Sequence, residues 1–109
     1  MNVEKIDILC NQVIDVALVA KETNSVINNA NLSSYPQKFA DRVNSVVKYC
    51  YNLFMDADKH SNECNNDLMV NLLNTLVKYK NSYNPASYGY RVMNSLFDIV
   101  KDTFVELNN

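Results

Sequence analysis

The sequence predicts an all-α protein that folds as a compact antiparallel four-helix bundle in a single domain. Apolar residues recur at helical spacing along most of the 109 residues, and no stretch shows the sustained apolar/polar alternation of a half-buried strand. Capping residues and prolines divide the chain into four segments of similar length, each with one apolar stripe, and such stripes are what a four-helix bundle buries. A chain of this length buries roughly two-thirds of its unfolded surface, which is enough for one core.

The first helix is predicted from about residue 3 to residue 22. Its stripe consists of Ile6, Leu9, Cys10, Val13, Val16, Ala17 and Ala20. Because Leu18 and Val19 widen this stripe, we expect the second half of the helix to be nearly enclosed by the bundle or paired with a partner. The Asn- and Ser-rich residues 24–34 are interpreted as a loop. Alternatively, the first helix could continue into this segment by one turn.

The second and third helices are predicted on either side of a polar connection at residues 56–66. Ser33 or Ser34 followed by Pro36 fits a capped helix start with proline in the first turn. The second helix then carries the stripe Phe39, Val43, Val46, Val47, Cys50, Leu53 and Phe54. Asn65, Asn66 or Asp67 can cap the third helix, which carries Leu68, Met69, Leu72, Leu73, Leu76 and Val77 and is expected to end near Lys80 or Tyr83.

The fourth helix follows a break at Asn84-Pro85, and Ser87 can cap it. Its stripe consists of Val92, Met93, Leu96, Ile99, Val100, Phe104 and Leu107. Gly89 costs the first turn about 1 kcal/mol relative to Ala if it lies inside the helix.

Composition indicates which classes of partner and which cellular compartment to expect. The net charge of −2 disfavours nucleic acid as a partner, because such proteins usually carry a positive field. The longest apolar run is too short to span a membrane, so no membrane association is expected. Three cysteines, two of them among apolar residues, favour a reducing compartment, and we expect a cytoplasmic protein. The 18 Asn residues suggest AT-rich coding and therefore a phage or mobile-element origin.

No metal, cofactor or catalytic site is expected. The segment 56–67 has the length of a calcium loop, but it has His60 at the fifth position, Ser61 at the glycine position and Asp67 at the last. His60 and Cys64 are four residues apart, yet two ligands do not make a zinc site. With one histidine and no glycine-rich elbow or phosphate loop, no nucleophile and base can be assembled.

The strongest candidate for a partner-binding site is a set of aromatic and basic residues around the Asn84-Pro85 break: Tyr79, Tyr83, Tyr88, Tyr90 and Arg91. Tyr and Arg are enriched at interface hot spots because they combine contact area with hydrogen bonding. Two alternatives stay open. The tyrosine rings could pack on the rim of the core with wet hydroxyls, or they could stack on nucleic-acid bases beside Lys78 and Lys80.

These features favour a non-enzymatic protein–protein interaction module, most simply a small inhibitor, immunity or anti-defence protein that binds a macromolecular partner. A second hypothesis is a helical DNA-binding transcriptional regulator, although no basic recognition helix is evident. A third is a structural subunit that self-associates as a homo-oligomer through the first helix, where Ile14, Leu18 and Val19 supply apolar surface.

Overall fold

Four helices make up almost all of the computed structural model, which describes residues 2–31, 36–59 and 65–108. The helices are α1 (Asn2–Asn31), α2 (Pro36–Lys59), α3 (Asn66–Asn81) and α4 (Tyr88–Leu107). Side chains are described for residues 3–23, 37–59 and 65–108. No strand occurs among the described residues, and the prediction of an all-α four-helix bundle is confirmed.

Each helix runs antiparallel to its neighbours, as polar contacts between the helices show. Near one end of α1, Lys21 Nζ donates to Asn44 Oδ1 of α2 at 2.9 Å, and near the other end Lys5 Nζ lies 3.3 Å from Glu106 Oε1 of α4. The helices α3 and α4 are joined by Lys80 Nζ, which donates to an amide oxygen of α4 at 3.2 Å. The most extensive packing is between α1 and α2 and between α3 and α4, and α2 and α3 pack less closely than α1 and α4 do.

The core is one cluster to which all four helices contribute, and most of the predicted stripe residues belong to it. Fully buried members from the predicted stripes include Ile6, Leu9, Val13, Phe39, Val43, Val46, Leu53, Met69, Leu72, Leu76, Met93, Leu96 and Val100. The structure adds Ala57 and Tyr83 to this core. Gly89 lies within the first turn of α4 and is buried there.

Capping side chains fix where α3 and α4 begin. Asn65 is the N-cap of α3, and its side-chain oxygen accepts hydrogen bonds from the backbone N–H groups of Asp67 and Leu68. Ser87 caps α4 in the same way through the N–H of Tyr90. A turn closed by the hydrogen bond from Ser87 N to Asn84 O precedes it, as predicted for the Asn84-Pro85 break.

Two boundaries differ from those predicted. The first helix continues to Asn31, more than two turns beyond residue 22, so the interpretation of residues 24–31 as a loop is wrong. The second helix continues through Asp56 to Lys59, so the first third of the predicted connection is helical. The candidate capping residues Ser33 and Ser34, and the segment containing His60 and Cys64, lie outside the described residues.

The outer face of α1 carries two large apolar side chains that the bundle does not cover. Leu18 is 60% exposed and Val19 is 63% exposed, while Val13, Ala17 and Ala20 are buried. The bundle therefore does not enclose the second half of this helix, contrary to the first of the two expectations above. The second expectation, that this part of α1 pairs with a partner, stays a prediction.

Candidate partner-binding groove

The predicted tyrosine and arginine residues do not form one patch, because Tyr79 and Tyr83 pack under Arg42 of α2 whereas Arg91 lines a groove with α1. Tyr83 is only 7% exposed, and its ring meets Phe39 edge to face at a centroid distance of 6.4 Å. The guanidinium of Arg42 lies over both Tyr79, at 5.3 Å, and Tyr83, at 5.1 Å. These two tyrosines therefore hold α2 against the end of α3, and buried Tyr83 offers little surface to a partner.

The other three predicted residues lie on α4. Tyr88 is half-buried, and its ring packs 6.1 Å from that of Phe39. Tyr90 is also half-buried and packs against the core, whereas Arg91 is exposed. Tyr88 and Arg91 point toward α1 and line a groove with it.

This groove lies between α1 and α4 and has a volume of about 420 Å³. Its lining residues are Asp15, Val16, Val19, Ala20, Tyr88, Arg91, Val92 and Ser95. The structure thus brings together two surfaces that the sequence presents separately, the exposed apolar face of α1 and the Tyr88–Arg91 part of the predicted cluster. Val16, Val19, Ala20 and Val92 make the lining predominantly apolar.

Helical spacing extends both walls of the groove toward the other end of the bundle. On α1, Ile8, Gln12, Asp15 and Val19 are spaced by three or four residues and share one face. Ile8 is 56% exposed, so apolar surface recurs about three turns away from Val19. On α4 the corresponding row is Arg91, Ser95, Asp98 and Asp102, all exposed. We call the groove described above, together with these two rows, the α1–α4 groove.

The helices that form this groove are acidic, whereas the opposite pair is basic. Together, α1 and α4 carry seven acidic and four basic residues, while α2 and α3 carry four acidic and six basic ones. The weak net charge of the chain therefore conceals an uneven distribution. A partner at the α1–α4 groove meets a negative field that the net charge alone does not reveal.

A second concave surface lies between α2 and α3 and is polar. It is lined by Ser45, Lys48, Tyr49, Asn52, Thr75, Lys78 and Tyr79. Lys80, the other basic residue of the predicted cluster, lies instead against α4, with its ammonium group 4.4 Å from the Phe97 ring centroid. The lysines named with the cluster are therefore separated from Tyr88 and Arg91.

Two cysteine thiols lie next to each other inside the bundle. Cys10 Sγ donates to the backbone oxygen of Cys50 at 3.1 Å, and both thiols are buried and free. The neighbouring Cys10 thiol and burial raise the pKa of Cys50 well above its ordinary value, so its thiol stays protonated. Among the described residues, no three His, Cys, Asp or Glu side chains come together as metal ligands. None of the described helices is both long and apolar enough to cross a bilayer.

Sequence reasoning missed several residues of this arrangement. Asp15, Val16, Val92 and Ser95 line the groove only because α1 packs antiparallel to α4, which no local pattern reveals. Arg42 was not associated with the tyrosines because it is far from them in sequence. The widened stripe at Leu18 and Val19 was the one available signal, and of these two residues Val19 lines the α1 wall of the groove.

An apolar groove between two helices can accept apolar side chains presented at helical spacing by another chain, and its polar rim can fix their register. Exposed Val19 and Arg91 lie on opposite walls, so one occupant can touch both. Comparisons of the chain with protein-family models, with curated proteins and with solved structures return no match.

Proposed function

We propose that this protein is a non-enzymatic interaction module that binds a helical segment of a protein partner in the α1–α4 groove. The observation that carries the proposal is that Val19, Tyr88 and Arg91 line one groove, although they lie on two helices. Interface hot spots are typically clusters of this kind, with aromatic and Arg side chains around an apolar centre. The partner gains contact area without the chain having to rearrange.

The remaining parts of the proposal rest on the composition of the chain. One histidine and the lack of glycine-rich catalytic motifs favour binding over catalysis. Small size and an apolar groove suit an inhibitor, immunity or anti-defence protein, and free buried thiols suit the cytoplasm. The asparagine content adds the phage or mobile-element origin to the same proposal.

Exposed apolar surface at the groove gives the proposal its physical basis. Leu18 and Val19 are large side chains that a monomeric protein gains nothing by exposing together, and Val16 and Val92 continue the surface inward. Burying apolar area releases about 25 cal/mol per Å², so covering this surface favours association.

A matched pair of variants tests the proposal. Val19→Glu places a charge in the groove, whereas Val70→Glu places the same charge on α3, at another exposed valine. With each variant and the wild type as bait in the native host, we expect one protein to be retained by wild type and Val70→Glu and lost from Val19→Glu. Titration calorimetry with that purified protein then gives the affinities.

The contrary outcomes are distinct. Equal retention of every partner by Val19→Glu and Val70→Glu would remove the groove as the binding site. A mass that doubles with protein concentration in wild type but not in Val19→Glu would show instead that a second copy occupies the groove, as in the self-associating subunit hypothesis.

A further inference from the structure

We propose that the segment bound in the α1–α4 groove is a basic amphipathic helix. This inference rests on the proposed function and specifies the chemistry of the partner. It follows from which side chains α1 and α4 leave exposed along the groove.

The exposed face of α1 combines apolar and acidic side chains and lacks basic ones. Between residues 7 and 22 its exposed residues are Asp7, Ile8, Asn11, Gln12, Asp15, Leu18, Val19 and Glu22. The two lysines of the helix are half-buried at its edges, where Lys5 pairs with Glu106 and Lys21 bonds to Asn44. Within the described part of the chain, Asp7, Asp15 and Glu22 form no ion pair. A cationic partner would therefore meet carboxylates that are available to it.

The α4 wall adds to this charge. Asp98 and Asp102 follow Ser95 along the exposed row of α4, so carboxylates lie on both sides of the groove. A partner helix with apolar residues on one face and Lys or Arg beside them fits both features of the groove. Its apolar residues would be buried against Val16 and Val19, and its basic residues would pair with these carboxylates.

A second copy of this chain that pairs through its own α1 face fits the groove less well. Pairing the α1 faces of two copies would place acidic residues on both sides and no exposed base of α1 between them. Like charges brought together at an interface oppose association, so the face that suits a basic helix disfavours its own copy.

Arg91 indicates the direction in which the bound partner helix runs along the groove. Of the described residues that line the groove, Arg91 is the basic one, and it lies at the end next to Val19 and Tyr88, away from Asp98 and Asp102. The C-terminus of a helix carries partial negative charge, so the C-terminal end of the bound partner helix would lie next to Arg91. The Lys or Arg residues of the partner helix would then lie nearer Ile8 and Asp102.

Three synthetic peptides of about 18 residues, enough for five helical turns, test the inference. They share one leucine face and carry Lys, Glu or Gln on the other face, and binding to the intact chain is measured by fluorescence anisotropy. We expect the Lys peptide to bind in the micromolar range and the Glu peptide at least about tenfold more weakly. Asp15→Asn and Asp98→Asn should each weaken binding of the Lys peptide about threefold, and added salt should weaken it further.

The valine pair separates groove binding from general charge attraction. Val19→Glu adds a negative charge yet should weaken the Lys peptide at least about tenfold, whereas Val70→Glu adds the same charge on α3 and should not weaken it. Thermal melts check that both variants fold, as their exposed positions predict. Equal weakening by the two variants, no weakening by either of them, or no saturable binding below about 1 mM would overturn the inference.

Two further outcomes also overturn the inference but leave different proposals standing. If all three peptides bind equally and Val19→Glu abolishes binding, the groove accepts helices irrespective of charge, and the proposed function survives. If wild type forms a dimer that excludes the peptides and Val19→Glu is monomeric, the occupant is a second copy.

Discussion

Leu72 shows how closely a single position could be predicted from its place in a stripe. It lies at the centre of α3 and is fully buried, whereas Val70, two residues earlier, is 41% exposed. The helical spacing that assigned Leu72 to the core excludes Val70 from it, because a step of two residues leads to the opposite side of a helix. At this scale the sequence was sufficient.

Leu72→Ala should therefore lower the free energy of unfolding by about 2 to 5 kcal/mol, the cost of removing buried methyl groups and leaving a cavity. Val70→Ala is the matched control and should change it by less than about 0.5 kcal/mol. Urea denaturation followed by circular dichroism measures both. Similar losses in the two variants would show that the stripe on α3 is wrongly placed.

Asn65 makes a second residue-scale prediction. Its side-chain oxygen accepts from two backbone N–H groups at the start of α3, so Asn65→Ala leaves both without this partner. We expect a loss of about 1 kcal/mol in the same measurement, and Asn65→Asp should retain most of the stability. A neutral Asn65→Ala variant would mean that Asn65 does not cap the helix.

The buried thiol of Cys50 gives a pH dependence. Because the pKa of Cys50 is raised in the folded protein above the ordinary value of 9.0, its protonated form contributes stability that is complete below that value. The hydrogen bond with Cys50 lowers the pKa of Cys10, which opposes this effect until Cys10 is ionised in both states. Above about pH 9 the unfolded chain loses the Cys50 proton while the folded chain keeps it, so stability falls, by up to about 1.4 kcal/mol per pH unit. Between about pH 9 and pH 11, Tm should therefore fall more steeply in wild type than in Cys50→Ala, and parallel slopes would contradict this.

At the scale of elements, the existence of all four helices could be predicted but two of their ends could not. The Asn and Ser residues after residue 22 each disfavour a helix by less than about 0.7 kcal/mol, and without Gly or Pro an established helix continues through them. The second helix passes Asp56 because Ala57 continues its buried stripe one turn beyond Leu53. Pro36, through its fixed backbone angle, and Ser87, through its capping hydroxyl, were more reliable markers.

Arg42 carries the element-scale prediction, since it joins α2 to the end of α3. Its guanidinium lies over the rings of Tyr79 and Tyr83 and donates to Ser82 Oγ at 2.7 Å. Arg42→Ala should cost roughly 1 to 2 kcal/mol of stability, from the lost cation–π and hydrogen-bond interactions. Lys48→Ala, at an exposed position on the same helix, should cost less than about 0.5 kcal/mol. Equal effects would show that the stacking contributes nothing.

At the scale of the whole molecule, the α1–α4 groove could not be derived from any one segment. Val19 and Arg91 share it only because the first and last helices pack antiparallel, with Lys5 near Glu106 at one end and Val19 near Tyr88 at the other. Sequence patterns give the residues that each helix exposes, but not which exposed faces meet. That is why the tyrosine cluster and the apolar face of α1 could be predicted only as competing sites.

The two predicted site residues in the groove should respond differently to truncation. Tyr88 packs on Phe39 and also lines the groove, so Tyr88→Ala should weaken partner binding and lower Tm together. Arg91 is exposed, so Arg91→Ala should weaken binding by about 2 kcal/mol and leave Tm unchanged. Calorimetric titration alongside thermal melts separates the two effects, and normal affinity in both variants would remove this wall from the interface.

Site-specific crosslinking tests the central claim, that the α1–α4 groove is the binding surface, most directly. A photoreactive benzoylphenylalanine replaces Leu18, which is exposed beside the groove without lining it, or Val70 on α3 as the control. On irradiation in the native host, we expect a single protein to crosslink to position 18 and not to position 70, and its capture to be lost when Val19→Glu is added. Crosslinking of the same protein from position 70 alone, or from position 18 regardless of Val19→Glu, would contradict the claim.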